Sequence, residues 1–126
     1  MKRKLLTMAA AVCTVAAFNT SCTVDSTTDN PFLAEYTTPF EIPPFEQISN
    51  EHYLPALKAG IDEQNKEIEA IVNNSEEPTF ENTILALDNS GQTLNKVAYV
   101  FYALTESLSS PELQQVDEEF TPLLTK

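Results

Sequence analysis

Residues 79–107 read TFENTILALDNSGQTLNKVAYVFYALTES, and this stretch decides the fold class. Its apolar positions recur at steps of four and three, as on one helix face: Phe80, Ile84, Leu87, Gly91, Leu94, Ala98 and Phe101. Thr79 suits the N-cap position, and Glu81 favours the first turn. Gly91 costs about 1 kcal/mol in a helix interior, yet on the apolar stripe it would let a neighbouring helix approach closely. The pattern predicts one helix from Phe80 to about Ser107, and two helices divided at Gly91 are the alternative.

A preceding helix is predicted from the start signals between Ser49 and Tyr53, with Ser49 or Asn50 as its N-cap. Pro55 cannot donate a helical hydrogen bond, so we expect regular helix to begin close to Tyr53, which places Pro55 in the first turn. Helical spacing then relates five apolar residues: Leu54, Leu57, Ile61, Ile68 and Ile71. Asparagines at 73–74, Ser75 and Pro78 are expected to end this helix.

A last helix is predicted from Ser110-Pro111-Glu112, which combines an N-cap serine, a proline at the first helical position and a carboxylate in the first turn. Its inward positions are expected to be Leu113, Val116, Phe120, and Leu123 or Leu124. Short loops join the predicted helices, which favours antiparallel neighbours. Residues 49–126 are therefore expected to form an all-α, antiparallel unit of about three helices.

Residues 31–48 precede the helices as an arm rich in proline and aromatic residues. Prolines at 31, 39, 43 and 44 oppose helix and favour extended backbone. Aromatic residues at 32, 36 and 40 indicate that the arm lies against the helical body. A flexible linker is the alternative, but it would not need Phe32, Phe40, Ile42 and Phe45.

The first residues have the organisation of an export signal. Lys2, Arg3 and Lys4 precede an apolar run of 14 residues, 5–18, which is shorter than the about 20 residues of a transmembrane helix. Small residues precede Cys22, which resembles the lipidated cysteine of bacterial lipoproteins. We expect a signal peptide over 1–21, lipid attachment at Cys22 and a polar tether over 22–30. Ordinary cleavage nearby, giving a soluble exported protein with a spare thiol, is the alternative.

The net charge of −12 excludes some partners. Beyond the basic start, four basic and 19 acidic residues remain, a net charge of −15. A surface this negative repels phosphate backbones and anionic lipid headgroups. We therefore expect no nucleic-acid partner, and membrane contact through a lipid anchor only.

The residues offer few candidates for chemistry. His52 is the single histidine, followed by tyrosine rather than glutamate, so no H-E-x-x-H zinc motif is present and a surface or capping role is expected. Four carboxylates are assigned to a solvated helix face: Asp62, Glu63, Glu67 and Glu69. Tyr99 and Tyr102 flank Phe101, an aromatic group that belongs to the core or lines a cleft. No catalytic residue and no metal ligand is predicted in these 126 residues.

Two phrases carry a family resemblance: IPPFEQISNEHYLPALK over 42–58 and PTFENTILALDNSGQTLNKV over 78–97. Together they resemble the N-terminal region of the thimet-oligopeptidase-like zinc metallopeptidases, a family of peptidyl-dipeptidases and oligopeptidases. The resemblance covers about residues 30–126. It implies a larger, two-lobed, all-helical peptidase around a deep channel, with zinc held by H-E-x-x-H and a downstream glutamate.

No position of this chain matches those zinc ligands, so none is carried over. The resemblance implies an inactive N-terminal fragment of an exported zinc metallopeptidase, whose full-length form binds zinc and cleaves short peptides. The export signal and Cys22 predict the cell envelope of a Gram-negative bacterium, periplasmic or outer-membrane, as location. The alternative is a short, non-catalytic lipoprotein whose helical module binds peptides or a protein partner.

Overall fold

The computed structural model describes residues 29–125, which form helices and turns and no strand. The elements are a 3-10 turn (Pro39–Glu41), α1 (Asn50–Val72), a π-helical segment (Phe80–Leu85) continuing into α2 (Ala86–Asp88), α3 (Gln92–Ser107), α4 (Pro111–Phe120) and a closing 3-10 turn (Thr121–Leu123). The all-α prediction is confirmed. The predicted signal peptide and Cys22 lie outside the described residues.

Helices α1 and α3 run antiparallel and make the largest helix contact. Gly60 lies so close to α3 that an added Cβ would sit 2.7 Å from the Cα of Leu94. At one end of the pair the rings of Tyr53 and Phe101 are 5.5 Å apart. Helix α4 returns along α1 and completes the antiparallel unit.

Helix α1 begins earlier than the position of Pro55 suggests. Ser49 is the N-cap, as predicted, but regular helix starts at Asn50, so Pro55 lies in the second turn rather than the first. The expectation of a start close to Tyr53 is therefore wrong. The cost is small because Pro55 only withholds a bond from the carbonyl of Glu51, an exposed residue that water can reach. Asn73 caps the other end, as expected.

The single helix predicted from Phe80 to Ser107 is wrong, and the alternative division at Gly91 is correct. Gly91 is left-handed, with φ 72° and ψ 23°, and serves as the N-cap of α3. Such a conformation suits glycine because it has no Cβ. The apolar spacing continues across the break, which is why periodicity alone indicated one helix.

The burial of that apolar stripe also divides at Gly91. Leu94 and Phe101 are buried in the core, as predicted. Phe80, Ile84 and Leu87 are 64%, 54% and 53% exposed. The first half of the predicted stripe therefore lies on the surface of the described unit.

The arm is docked at its beginning and exposed further on. Asn30 is buried, accepts the N–H of Phe32 at 3.1 Å and donates through Nδ2 to the carbonyl of His52 at 2.8 Å. Phe32 is fully buried, with its ring 5.0 Å from that of Tyr53. Phe40, by contrast, is 95% exposed. Docking is thus confirmed for the first part of the arm and wrong for Phe40, Ile42 and Phe45, which are all exposed.

Lys96 fixes the arm to α3. Its Nζ donates to the carbonyl of Ala34 at 2.8 Å and lies 3.7 Å from the centre of the Tyr36 ring, a cation–π contact. Burial lowers the pKa of Lys96, and the nearby Glu35 carboxylate opposes that effect. A lysine in an acidic chain is here a structural link between the arm and the helices.

The core is a continuous aromatic cluster that joins the arm to α1, α3 and α4. The ring of Phe120 lies 6.2 Å from that of Phe101, edge to face. The predicted inward residues Leu113, Val116 and Phe120 are buried, while Leu123 is half-buried and Leu124 exposed. Ser110 caps α4 by accepting the N–H of Leu113 at 3.2 Å, as expected. Within residues 29–125, no helix has both the length and the apolar character that a membrane crossing requires.

Candidate functional site

His52 stabilises the start of α1. The backbone N–H of Ser49 donates to His52 Nδ1 at 3.0 Å, and the two residues form a capping box. This contact requires an unprotonated Nδ1, so a neutral ring carries its proton on Nε2. The structure gives His52 the capping role that its position at a helix start indicates.

The residues 29–125 do not fit a zinc site. They contain no group of three or more His, Cys, Asp or Glu side chains that could hold a metal ion. His52 already uses Nδ1 in the helix cap.

Glu67 corrects the interpretation of the α1 carboxylates. Asp62, Glu63 and Glu69 are exposed, as expected for a solvated face, but Glu67 is half-buried. Its Oε2 accepts the backbone N–H of Gly91 at 2.7 Å. A negative charge at the start of α3 also interacts favourably with the helix dipole. Glu67 therefore provides the Gly91 N–H, at the turn into α3, with an acceptor that neighbouring residues of the chain do not supply.

The P-T-F-E-N-T phrase has a local structural role. Thr79 Oγ1 accepts the N–H of Asn82 at 3.1 Å, and Asn82 Oδ1 accepts the N–H of Thr79 at 2.7 Å. Asn82 Nδ2 also donates to the carbonyl of Glu77 at 3.0 Å. The phrase is therefore a capping box that fixes the entry into the π-helical segment. π-helical turns are rare in proteins, and those that occur are often found at functional sites.

The aromatic group on α3 divides between core and surface. Phe101 is fully buried, while Tyr99 is 74% exposed. Tyr102 is partly exposed and packs at 5.4 Å from the Phe101 ring. Burial raises the pKa of Tyr102, and the Asp117 carboxylate raises it further. Of the three side chains, Tyr99 is the one most available to a ligand.

Two open grooves lie along α1. The first, about 430 Å³, runs between α1, Leu94 and the closing 3-10 turn, with Lys58 and Asp62 among its lining residues. The second, about 560 Å³, lies between the first turns of α1 and α4. Leu54, Pro55 and Val116 give the second groove apolar walls.

Three carboxylates line the second groove: Glu51, Glu112 and Glu119. Hydrogen bonds from the backbone N–H of Glu112 and from the Ser110 hydroxyl lower the pKa of Glu112. The groove is therefore suited to a chain segment with apolar side chains and positive charge. Its residues offer no histidine or cysteine as nucleophile or base.

Comparison with known proteins supports a peptidase-family relationship. The chain is similar to dipeptidyl carboxypeptidase of Escherichia coli (strain K12), 46% identical over 100 residues, 79% of this chain and 15% of that protein. It is 44% identical over 92 residues, 73% of this chain and 14% of that protein, to dipeptidyl carboxypeptidase of Salmonella typhimurium (strain LT2). With oligopeptidase A of Escherichia coli (strain K12) it shares 32% identity over 97 residues, 77% of this chain and 14% of that protein.

No protein-family model matches this sequence. The chain spans only about one seventh of the length of the curated relatives that it matches. The chain therefore belongs to the thimet-oligopeptidase-like peptidase family, which confirms the resemblance carried by the two sequence phrases.

Sequence reasoning missed the contact of Glu67 with Gly91 and the two grooves. The sequence carried no local signal for the Glu67 contact, because Gly91 lies 24 residues further along the chain. The grooves had no such signal, because they arise from the angle at which separate helices meet.

Proposed function

We propose that this chain is part of a zinc metallopeptidase that cleaves short peptides and releases dipeptides from their C-terminal ends. The observation that carries the proposal is the 46% identity to a dipeptidyl carboxypeptidase over 100 residues. Identity to oligopeptidase A is lower, at 32%, which favours dipeptide release over internal cleavage. Zinc and the catalytic residues are proposed to lie in the part of the polypeptide that follows these 126 residues.

The described unit is proposed to contribute one wall of the peptide channel. The support for this part is the second groove, which has apolar walls and three carboxylates, because clefts between packed helices are common binding sites. The 126-residue chain alone is expected to have no peptidase activity, because residues 29–125 offer no metal-binding group.

The test uses the protein encoded by the whole reading frame, together with the 126-residue chain. Both are incubated with an N-acetylated tetrapeptide, and products are identified by mass spectrometry. We expect the whole protein to release the C-terminal dipeptide and the short chain to release nothing. A tetrapeptide with an amidated C-terminus is the matched control, and we expect it to be cleaved poorly.

Metal analysis of the whole protein provides the second readout. We expect about one zinc per chain, with activity lost on chelation and restored by added zinc. Cleavage of the amidated peptide at internal bonds would favour an oligoendopeptidase instead. A reading frame that stops after Lys126 would favour the short, non-catalytic lipoprotein.

Export and lipid anchoring at Cys22 are a separate part of the proposal. The basic start, the apolar run over 5–18 and the small residues before Cys22 support it. Acyl chains on Cys22 would anchor the protein because each buried methylene contributes about 0.8 kcal/mol. Cys22→Ala is expected to move the protein from the membrane fraction to the soluble fraction. Continued membrane association of this variant would contradict lipid attachment.

A further inference from the structure

One apolar face of the described unit has no partner within residues 29–125. Phe80, Ile84 and Leu87 follow one another at steps of four and three, and each is more than half exposed. We name these three side chains the exposed apolar face. Soluble proteins rarely leave contiguous apolar patches uncovered unless they bind something.

This face is held in place at both ends. The capping box of Thr79 and Asn82 fixes its beginning. Beyond its end, Gly91 donates to Glu67 on α1, which holds the turn into α3. Because both ends are anchored, the face is a formed surface rather than a frayed terminus.

The charged residues of the chain segment that carries the face are all acidic. Between Lys66 and Lys96 the chain carries six acidic residues and no lysine or arginine. Four of these acidic residues are exposed and lie within four positions of a face residue along the chain: Glu76, Glu77, Glu81 and Asp88. A second copy of this chain would place like charges against each other at a two-fold interface, which is unfavourable.

We infer that the exposed apolar face is covered, in the whole protein, by another part of the same polypeptide. That part has an apolar centre and a rim of lysine or arginine side chains. The inference rests on the proposed function, since it takes the chain as one section of a longer peptidase. Its support is that the matched segment forms only 14–15% of the relatives, so most of their chain is available as a partner in cis.

Thiol labelling tests the inference. Single cysteines are introduced as Ile84→Cys and Leu87→Cys in residues 23–126, which contain no other cysteine. The same two variants are made in the whole protein from residue 23 onward, with any further cysteines replaced. Glu63→Cys, on the exposed side of α1, is the matched control. We expect Ile84→Cys and Leu87→Cys to react at least ten times more slowly in the whole protein, while Glu63→Cys reacts at similar rates in both.

Three results would overturn the inference. The first is that the face variants react at the same rate in both proteins, or that Glu63→Cys is protected in the whole protein as strongly as the face variants are. The second is protection in the short chain that increases with its concentration, because a second copy would then be the occupant. The third is a reading frame that ends at Lys126, since no further chain would exist to cover the face.

Charge reversal tests the chemistry of the rim. In the whole protein, Glu81→Lys with Asp88→Lys is expected to raise the labelling rate of Ile84→Cys several-fold, because basic side chains would then repel each other. Glu63→Lys is the control and should leave that rate unchanged. No effect of the double reversal would contradict a basic rim.

The inference and the proposed function can fail separately. Dipeptide release by a whole protein with an unprotected face would leave the function standing and remove the inference. A protected face in a whole protein without peptidase activity would leave the inference standing and remove the proposed function.

Discussion

Replacing Gly91 by alanine distinguishes one unbroken helix over residues 80–107 from two helical segments divided at Gly91. In an unbroken helix, Gly91→Ala would stabilise the protein by about 1 kcal/mol, because alanine is the better helix former. In the structure Gly91 has φ 72°, a left-handed conformation that costs a residue with a Cβ about 1–2 kcal/mol. The two descriptions therefore predict effects of opposite sign.

A second contribution comes from Gln64. A Cβ on Gly91 would lie 2.5 Å from Gln64 Nε2 and 2.7 Å from its Cδ, so the amide must move. Overpacking of this kind typically costs about 1–3 kcal/mol, though a long side chain relieves part of it by rotation. We expect a total loss of about 1–3 kcal/mol.

Thermal and urea unfolding of residues 23–126, followed by circular dichroism at 222 nm, measures the effect. A loss of 1 kcal/mol lowers the Tm of a domain this size by about 4–8 °C. The double variant Gly91→Ala with Gln64→Ala, compared with Gln64→Ala alone, removes the amide contact and should retain the part due to backbone conformation. An increased Tm in Gly91→Ala would refute the left-handed break.

Three further predictions follow from single contacts. Gly60→Ala is expected to destabilise, because its Cβ meets the backbone of Leu94 at 2.7 Å and the overpacking cost of about 1–3 kcal/mol exceeds the gain in helix propensity. Ala70→Gly, at an exposed position of α1, measures that propensity gain. A Gly60→Ala variant that is more stable than the native protein would contradict the close approach of α1 to α3. Glu67→Ala should lower the free energy of unfolding by about 1–3 kcal/mol, since it leaves the Gly91 N–H without its charged acceptor. Glu67→Gln should cost less because it keeps an oxygen acceptor, whereas equal losses in the two variants would show that charge alone matters. Burial raises the pKa of Tyr53, so the folded state favours its neutral form and the resulting stability is present below pH 10 and lost as pH rises through the raised pKa. Urea unfolding between pH 9 and 12 should accordingly show a steeper loss in the native protein than in Tyr53→Phe, and parallel curves would argue against this origin.

Local signals allowed much of the fold to be predicted from sequence. The caps at Ser49, Thr79 and Ser110 follow from short-range chemistry, because the side chain that caps a helix lies within three residues of the group it satisfies. The prediction failed at Gly91, where the decisive partners, Gln64 and Glu67, lie on another helix. Periodicity records which residues are apolar, but not where the backbone turns.

The same limit explains the errors in burial. Phe80 and Phe101 occupy the same predicted stripe, and their surroundings differ only because Phe101 has α1 and α4 beside it. Phe40 was expected to dock because of its type, yet it lies in a turn with φ 59° that carries it away from the helices. For the candidate site, the chemistry of His52 was predictable from its place at a helix start, whereas both grooves depend on how helices meet.

The link between Lys96 and the arm has a kinetic consequence. Ala34 is synthesised 62 residues before the lysine that binds its carbonyl. At a synthesis rate of about 5–20 residues per second, the arm waits roughly 3–12 s for this partner. Residues 30–36, although made before the helices, therefore complete their contacts only after α3 exists. During synthesis this early segment therefore cannot close the structure by itself.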